Sequence, residues 1–484
     1  MLRGVAVGNN VWSANEANLY VNDSADYARL QSLGFNSVRF YLSYKFFEND
    51  ATPYSYKQNG WDFLNRNLEW ARANGINFVL NMHVPQGGFQ SNGEGAALWD
   101  NEENQRRLIA LWREIASRYV NDTAIAAYDI LNEPVVSKDK SQWQKLAQEI
   151  VNAIREVDSN HLILVERVNG IIPSDYSNDS EMNYVFISDP ADKWGLTFHF
   201  YSPIEYTHQY ASWVESLKNS DGGRYPDPNI LQFSGEQWVG AVFNNPAVPS
   251  GDSDWNFYEG NWKAITDTSE ANIGRPTLMC KDVGEGTVWF DSLVLEKRSP
   301  AGEVSIVGIY ELPYGKEGWY FWTEKSGGTI IESENAIGIT GTVSDANYAT
   351  SKMFVALEQG YSYRASGKMK GDNVPQAADC RIRFDWNYAK NMSVRNKAFL
   401  ESEVDLYLKI AQEKKLPVYL GEFGVIKFAT NNEKGGYVWI SDMLNILKSR
   451  GVSYNYHAWV DDSFGVKDDP ALENLFKNKF LGRR

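Results

Sequence analysis

The stretch Ile125-Ala126-Ala127-Tyr128-Asp129-Ile130-Leu131-Asn132-Glu133-Pro134 runs from apolar, β-prone residues into a carboxylate and then a proline. It reads as a buried strand with Glu133 at its end, because Pro134 lacks a backbone donor and stops the strand from continuing. The period then changes. Trp143, Leu146, Ile150 and Ile154 share one helical face, and Ser141 and Gln144 have the spacing of a capping box. A strand followed by an amphipathic helix is one β/α unit, and the chain repeats it.

Towards the N-terminus, strand-like runs fall at Gly4–Val7, Ser37–Leu42 and Asn77–His83. Towards the C-terminus they fall at Leu162–Arg167 and Leu196–Tyr201. Trp61, Leu64 and Leu68 mark one helix, closed by Gly75, and Leu108, Leu111, Trp112, Ile115 and Tyr119 mark another. The pattern returns late in the chain. Val404, Leu408 and Ala411 read as a helix and Pro417–Leu420 as a strand; Trp439, Met443 and Ile446 read as a helix ended by Gly451, and Ser453–Val460 as a last strand. Six strands plus two is the number a closed parallel barrel needs, so the fold expected is α/β, a (β/α)₈ barrel over 1–224 and 391–484.

Between these parts the helical period disappears. Cys380, Ile382, Phe384 and Trp386 alternate with Arg381, Arg383 and Asp385, while Val288–Leu295 and Tyr361–Ala365 read as further strands separated by glycine-rich turns. Residues 225–390 are therefore expected to form an all-β domain inserted between barrel strand 6 and helix 6, since a structureless loop of that length is improbable.

Composition narrows the function. The charge is 47 − 62 = −15, a poor match to phosphate backbones or anionic lipids, so neither a nucleic acid nor a membrane is expected as partner. No apolar run is long enough to span a bilayer. The two cysteines, Cys280 and Cys380, exclude a disulfide-rich scaffold and a cysteine-ligated zinc, and leave room for one disulfide. Aromatics make up 14% of the chain; they suit large cores, and equally the apolar C–H faces of sugar rings. A monomeric, exported protein whose signal peptide has been trimmed is the expectation, with no cofactor.

A second strand-end carboxylate stands in Val418-Tyr419-Leu420-Gly421-Glu422-Phe423-Gly424. Alone, either glutamate is equally an ordinary solvated strand-end residue. As a pair on strands 4 and 7 they face each other across a barrel mouth. Glycoside hydrolysis needs one carboxyl to protonate the leaving oxygen and another to attack or to activate water.

With these residues the barrel portion resembles glycoside hydrolase family 5, within the clan of retaining (β/α)₈ glycosidases. Leu131-Asn132-Glu133-Pro134 is similar to that family's acid/base motif and Gly421-Glu422-Phe423-Gly424 to its nucleophile motif. Arg39 in Asn36–Phe40, His83 in Asn81–His83, His199 and Tyr201 in Phe198–Tyr201, and Trp459 in Tyr456–Trp459 fall where the family pattern places binding residues. The resemblance implies that Glu133 is the acid/base, with a pKa raised by its neighbours, and that Glu422 is the nucleophile. Arg39 and Tyr201 would hold the Glu422 charge. Asn132 would bind the sugar 2-OH, His83 and His199 would bind hydroxyls or orient the carboxylates, and Trp459 would stack under the sugar. His83 and His199 lack a third ligand at metal spacing, so no metal is expected.

The family acts on several β-glycans. An endo-β-1,4-glucanase is the expectation, beside mannanase, xyloglucanase, β-1,3-glucanase and exo-β-glucosidase readings. The loop Val84–Gln90 and the aromatics Trp12, Tyr41 and Trp99 are expected to line subsites. The insert resembles a jelly-roll carbohydrate-binding module through Gly286–Leu295 and Tyr361–Gly367, with strand order permuted. It is expected beside the cleft, with Trp255, Trp262 or Trp319 stacking on distal sugars; the alternative is a lid whose tryptophans are all core. Two other classes remain: a non-catalytic sugar-binding barrel, against which both retained glutamates argue, and a flavin or phosphate-cofactor barrel, whose Gly-rich loop position is taken by Glu422.

Overall fold

The computed structural model describes residues 1–8, 11, 22–91, 93–171, 183–310, 318–324, 328–333, 336–341, 346–430 and 433–482. Eight parallel strands close into a barrel in sequence order: Arg3–Val7, Ser37–Ser43, Asn77–Val84, Ile125–Asp129, Leu162–Glu166, Trp194–Phe200, Val418–Phe423 and Ser453–Tyr456. Closure is explicit in the register, where Arg3 pairs with Tyr454 and Gly4 with Asn455. Ser37–Ser43 is buried at every position, its apolar residues packing in the core and its one charge, Arg39, turned into the barrel where carboxylates meet it.

Amphipathic helices cover the barrel, among them Gln58–Ala73, Glu102–Tyr119, Lys140–Arg155, Lys397–Lys414 and Gly436–Ser449. Two of them fix the site from outside. The indole N–H of buried Trp112 donates to the Ile130 carbonyl at 2.9 Å, and that of Trp143 to the Glu166 carbonyl at 2.7 Å. Each clamps the chain where a strand ends and a carboxylate begins. The helix at Lys140 starts earlier than the capping-box spacing suggests: its N-cap is Asp139, whose carboxylate accepts from the Ser141 N–H.

The chain divides into two compact units, Met1–Asp227 with Asn396–Arg484, and Pro228–Arg395. The second lies between barrel strand 6 and the helix Lys397–Lys414, and it is all β. Two antiparallel sheets share one core, with Leu278, Ala349, Ile382 and Phe384 from one and Val288, Phe290, Ile339 and Met369 from the other. The strand Asp379–Arg395 follows its sequence alternation: Cys380, Ile382 and Phe384 enter the core, and Arg381 does not. Cys280 and Cys380 are buried free thiols at directly opposed positions of neighbouring strands.

The tryptophans of the insert sort differently from expectation. Trp319 is buried in the core, because it points inward from an edge strand whose next residue, Tyr320, points out. Trp262 is flanked by the guanidinium groups of Arg298 and Arg364, 4.6 and 4.5 Å from its ring. Trp255 is exposed.

The N-cap assignment has a direct test. Asp139→Ala should lower the barrel's Tm by about 2–4 °C in calorimetry, since losing an N-cap costs about 1 kcal/mol. Ser141→Ala should cost less than Asp139→Ala, because the Ser141 backbone N–H to Asp139 remains when its hydroxyl is lost.

Candidate active site

Arg39 lies at the centre of the barrel mouth and is completely buried. Its Nε donates to Asp129 Oδ2 at 2.7 Å, one terminal nitrogen to Glu422 Oε1 at 2.6 Å, and the other to Asn132 Oδ1 at 2.9 Å. Strands 2, 4 and 7 are thus tied by one guanidinium. A buried charge on this scale requires carboxylate partners and filled hydrogen bonds, and both are present.

Glu422 is held as an anion. Tyr41 donates to its Oε1 and Tyr201 to its Oε2, both at 2.9 Å. Burial works to raise the carboxyl, but His199, His457 and Arg39 together hold it well below the usual carboxylate range. His457 sits 3.8 Å from Oε2 and shares the Tyr41 hydroxyl through Nδ1 at 2.8 Å.

Glu133 lies four residues past the end of strand 4 with φ +42°, a left-handed conformation that costs an ordinary side chain about 1–3 kcal/mol. Its backbone N–H donates to Glu166 Oε2 at 3.0 Å, which holds that turn. Its side chain stays 16% exposed, the open position beside an otherwise closed cluster. The expected upward shift does not appear. Burial raises the Glu133 carboxyl, but His199, 2.7 Å away through Nδ1, outweighs it, and the net direction is down. The cause is that His199 is itself charged: burial lowers it, yet Glu166, Glu422 and Glu133 raise it to about 9. One oxygen each of Glu133 and Glu422 and one His199 nitrogen lie within 4.8 Å of one another.

The other expected residues separate into two groups. Asn132 is in the cluster, with its amide N–H directed to Ser91 at 3.3 Å. His83 is one layer back. It bonds Asn81 at 3.0 Å, stacks on Tyr41 at 3.9 Å between ring centroids, and burial keeps its imidazole neutral. Trp459 is a correction. It is fully buried, its indole donates to Asp26 at 2.9 Å, and its backbone N–H bonds Ala6, so the ring belongs to the barrel's helical layer and not to a sugar site. At Trp459, three residues past the strand end, the chain has turned outward, and His457 is the one that faces Glu422. Trp99 is also core: it is buried edge-on against Trp143 and donates to Gln90 at 2.9 Å. The loop Val84–Gln90 aims its two glutamines inward, Gln86 to Glu48 and Gln90 to Trp99, so its polar residues hold the loop. Trp12 lies outside the described residues.

Four participants escaped the motif reading. Asp129 and Glu166 are strand-end carboxylates like the two singled out, and their strand positions were the available signal. His457 stood two residues before the tryptophan chosen. Trp213 had no signal, yet it is 47% exposed and ends an aromatic wall with Phe464 and His208 that begins at Tyr201.

Among the described residues, Glu133, His199 and Glu422 form the one group with metal-ligand spacing. A cation there would sit against Arg39 and a charged His199, so the donor set does not suit one.

A closed (β/α)₈ barrel with two facing strand-end carboxylates defines the class of barrel, and comparison with known proteins places the chain within it. Residues 3–245 match the model of the cellulase family, glycosyl hydrolase family 5, and the chain belongs to that family. Endoglucanase C of Acetivibrio thermocellus is 32% identical over 206 residues, 43% of this chain and 57% of the relative. Cellodextrinase A of Ruminococcus flavefaciens is 26% identical over 204 residues, 42% and 58%. The chain thus spans just over half the length of these curated relatives. Among solved structures, endoglucanase Cel5A of Thermotoga maritima superimposes with a TM-score of 0.55 at 16% identity, covering 99% of this chain and 96% of that one. At that identity the likeness concerns the fold.

The electrostatics predict two imidazoles of opposite behaviour. By NMR titration, His199 should change charge near pH 9, and His83 should remain neutral down to acid pH. Because the His199 pKa is raised in the folded state, the stability it adds is complete below about 6.5 and is lost as pH rises through about 9.

Proposed function

We propose that this chain hydrolyses β-glycosidic bonds with retention of configuration, Glu422 acting as nucleophile and Glu133 as acid and then base. The observation that carries the reading is the pair of carboxylates near one imidazole, oxygen atoms within 4.8 Å, with Glu422 alone held by a guanidinium and two tyrosines. Retaining enzymes separate their carboxyls by about 5–5.5 Å and inverting ones by about 6.5–9.5 Å, so the spacing favours direct attack. Glu422 attacks the anomeric carbon while Glu133 gives its proton to the leaving oxygen. Water then cleaves the glycosyl ester and returns a proton to Glu133.

The substrate we infer is a β-1,4-linked glucan cut internally, supported by the names of the relatives, Endoglucanase C and C307. Trp213, exposed at the end of the aromatic wall from Tyr201, suits stacking on a sugar beyond the cleaved bond. A polymeric substrate and the acidic surface favour export, and no helix among the described residues is long and apolar enough to cross a membrane.

The insert is read as a sugar-binding module. Register places Trp322, Tyr348, Met279 and Arg381 in one row, and Tyr320, Thr350, Thr277 and Arg383 in the next, across one face of a sheet. Trp322 stacks on Tyr348 at 3.9 Å and 14°, Tyr320 is 63% exposed, and Thr277 and Arg383 both bond Asp385. The exposed rings of Tyr320 and Trp322 suit stacking on a sugar, while Thr277 and Arg383 are buried against Asp385 beneath them.

Two experiments test these readings. On a β-linked cello-oligosaccharide, proton NMR should show the β anomer released first. Glu422→Gln should lose more than about 10³-fold in turnover, while Glu133→Ala with added azide should form a β-glycosyl azide from an activated substrate. An initial α product would overturn retention, and azide rescue at position 422 in place of 133 would reverse the assignment. In native gels containing soluble β-glucan, Trp322→Ala in a Glu422→Gln background should migrate less retarded than Glu422→Gln alone. Equal mobility would make that face scaffold.

A further inference from the structure

Cys280 and Cys380 lie in the insert's core without solvent exposure, apart from the cluster at the barrel mouth. Cys280 is on the strand Ile273–Lys281 and Cys380 on the strand Asp379–Arg395. The two strands run antiparallel, and the cysteines face each other one position before the last pair, Lys281 with Asp379.

An antiparallel ladder contains two kinds of facing pair. In one, the residues exchange backbone hydrogen bonds; in the other, they turn their backbones outward and their side chains come closer. The neighbouring bonds decide which kind this is. The Cys380 carbonyl accepts from the Val248 N–H at 3.2 Å, and the Ile382 carbonyl from the Asn244 N–H at 3.0 Å, both on the edge away from Cys280. The Cys280 carbonyl is likewise turned away, towards the Asn347 amide at 3.5 Å on the strand Ala346–Ser351. The pair is therefore not hydrogen-bonded through its backbone. Facing Cβ atoms in antiparallel sheets lie about 4.5–5.5 Å apart, and closer at this kind of pair. A disulfide needs about 3.5–4.5 Å, so this position allows one with little movement of the backbone.

We propose that Cys280 and Cys380 form a cross-strand disulfide that pins these two inner strands of the insert. Each thiol gives up one proton and one electron. A small disulfide of the glutathione class accepts them: its S–S bond breaks, the protein's S–S bond forms, and two small thiols leave. Burial, and next a hydrogen bond with the Cys380 thiol, push the Cys280 thiol well above its ordinary value. The closed core thus keeps that sulfur protonated and unreactive, and the bond forms while the sheet is still assembling. The export proposed above would supply an oxidising compartment.

The link acts where the strand spacing matters. Met279 and Arg381, the next residues along the two strands, share a row with Tyr348 and Trp322 on the sheet's other face. A covalent tie between positions 280 and 380 holds the backbone beneath that row. It also closes a loop of about 100 residues, and long loops are where a cross-link removes most freedom from the unfolded chain.

The test refolds the full chain in two buffers, one with reduced and oxidised glutathione and one with dithiothreitol. Each product is unfolded with iodoacetamide and weighed by mass spectrometry. After oxidising refolding the chain should carry no alkyl group, and a proteolytic digest should contain the Cys280 and Cys380 peptides joined. After reducing refolding it should carry two. In calorimetry the transition of the unit Pro228–Arg395 should lie about 5–15 °C higher in the oxidised chain. Cys380→Ala should melt like the reduced chain in either buffer; the wild-type comparison needs no variant and stands if that mutant misfolds. Two alkylated or glutathione-capped thiols after oxidising refolding, a link between two chains, or equal transitions in the two buffers overturns the proposal.

Discussion

Three strands of the barrel meet on one buried guanidinium. Arg39 reaches Asp129, Glu422 and Asn132 from the second strand, and each contact is 2.9 Å or shorter. Charges without water must find partners inside the protein, and removing one partner leaves the rest uncompensated, at a cost of about 3–5 kcal/mol. This constraint orders the mouth. It fixes Glu422 as an anion, orients Asn132 and leaves a single open carboxylate, Glu133, beside them. Behind it, His83 stacks on Tyr41, and Tyr41 in turn donates to Glu422.

The two glutamates differ because of what surrounds them. Glu422 has a permanent cation and two phenols. Glu133 has a histidine whose own charge depends on three carboxyls. A guanidinium cannot release a proton, whereas an imidazole can. Glu422 is therefore held in one charge state, while Glu133 is paired with a group that can lose its charge. The left-handed turn at Glu133, held by Glu166, and the indoles of Trp112 and Trp143 fix the backbone from which these side chains project.

The insert follows a different physical logic. Its strand Thr287–Arg298 alternates buried and partly exposed positions, whereas the barrel strand Ser37–Ser43 is buried throughout. The core of Val288, Phe290, Ile382 and Phe384 is separate from that of the barrel. A unit that closes its own core can be accommodated in a loop without altering the barrel's strand order, which runs unbroken from the sixth strand to the seventh.

The sequence by itself determined the barrel, the insert and the pair of glutamates that meet at the barrel mouth. Apolar runs ending in Glu133 and Glu422, with helical periods between them, are local patterns, and local patterns survive without coordinates. It also placed Arg39, Asn132, His199 and Tyr201 in the cluster. It misassigned Trp459 and Trp99, and it missed the parts played by His457, Asp129 and Glu166. Trp459 and His457 are told apart by where the chain turns within three residues of a strand end, Trp99 by the packing of a short helix against Trp143, and Asp129 and Glu166 by the partners that barrel closure brings to them. The direction of the Glu133 shift was likewise decided by tertiary structure alone. It is a balance between burial and a histidine 66 positions away in the chain, and only folding brings those two side chains within 2.7 Å.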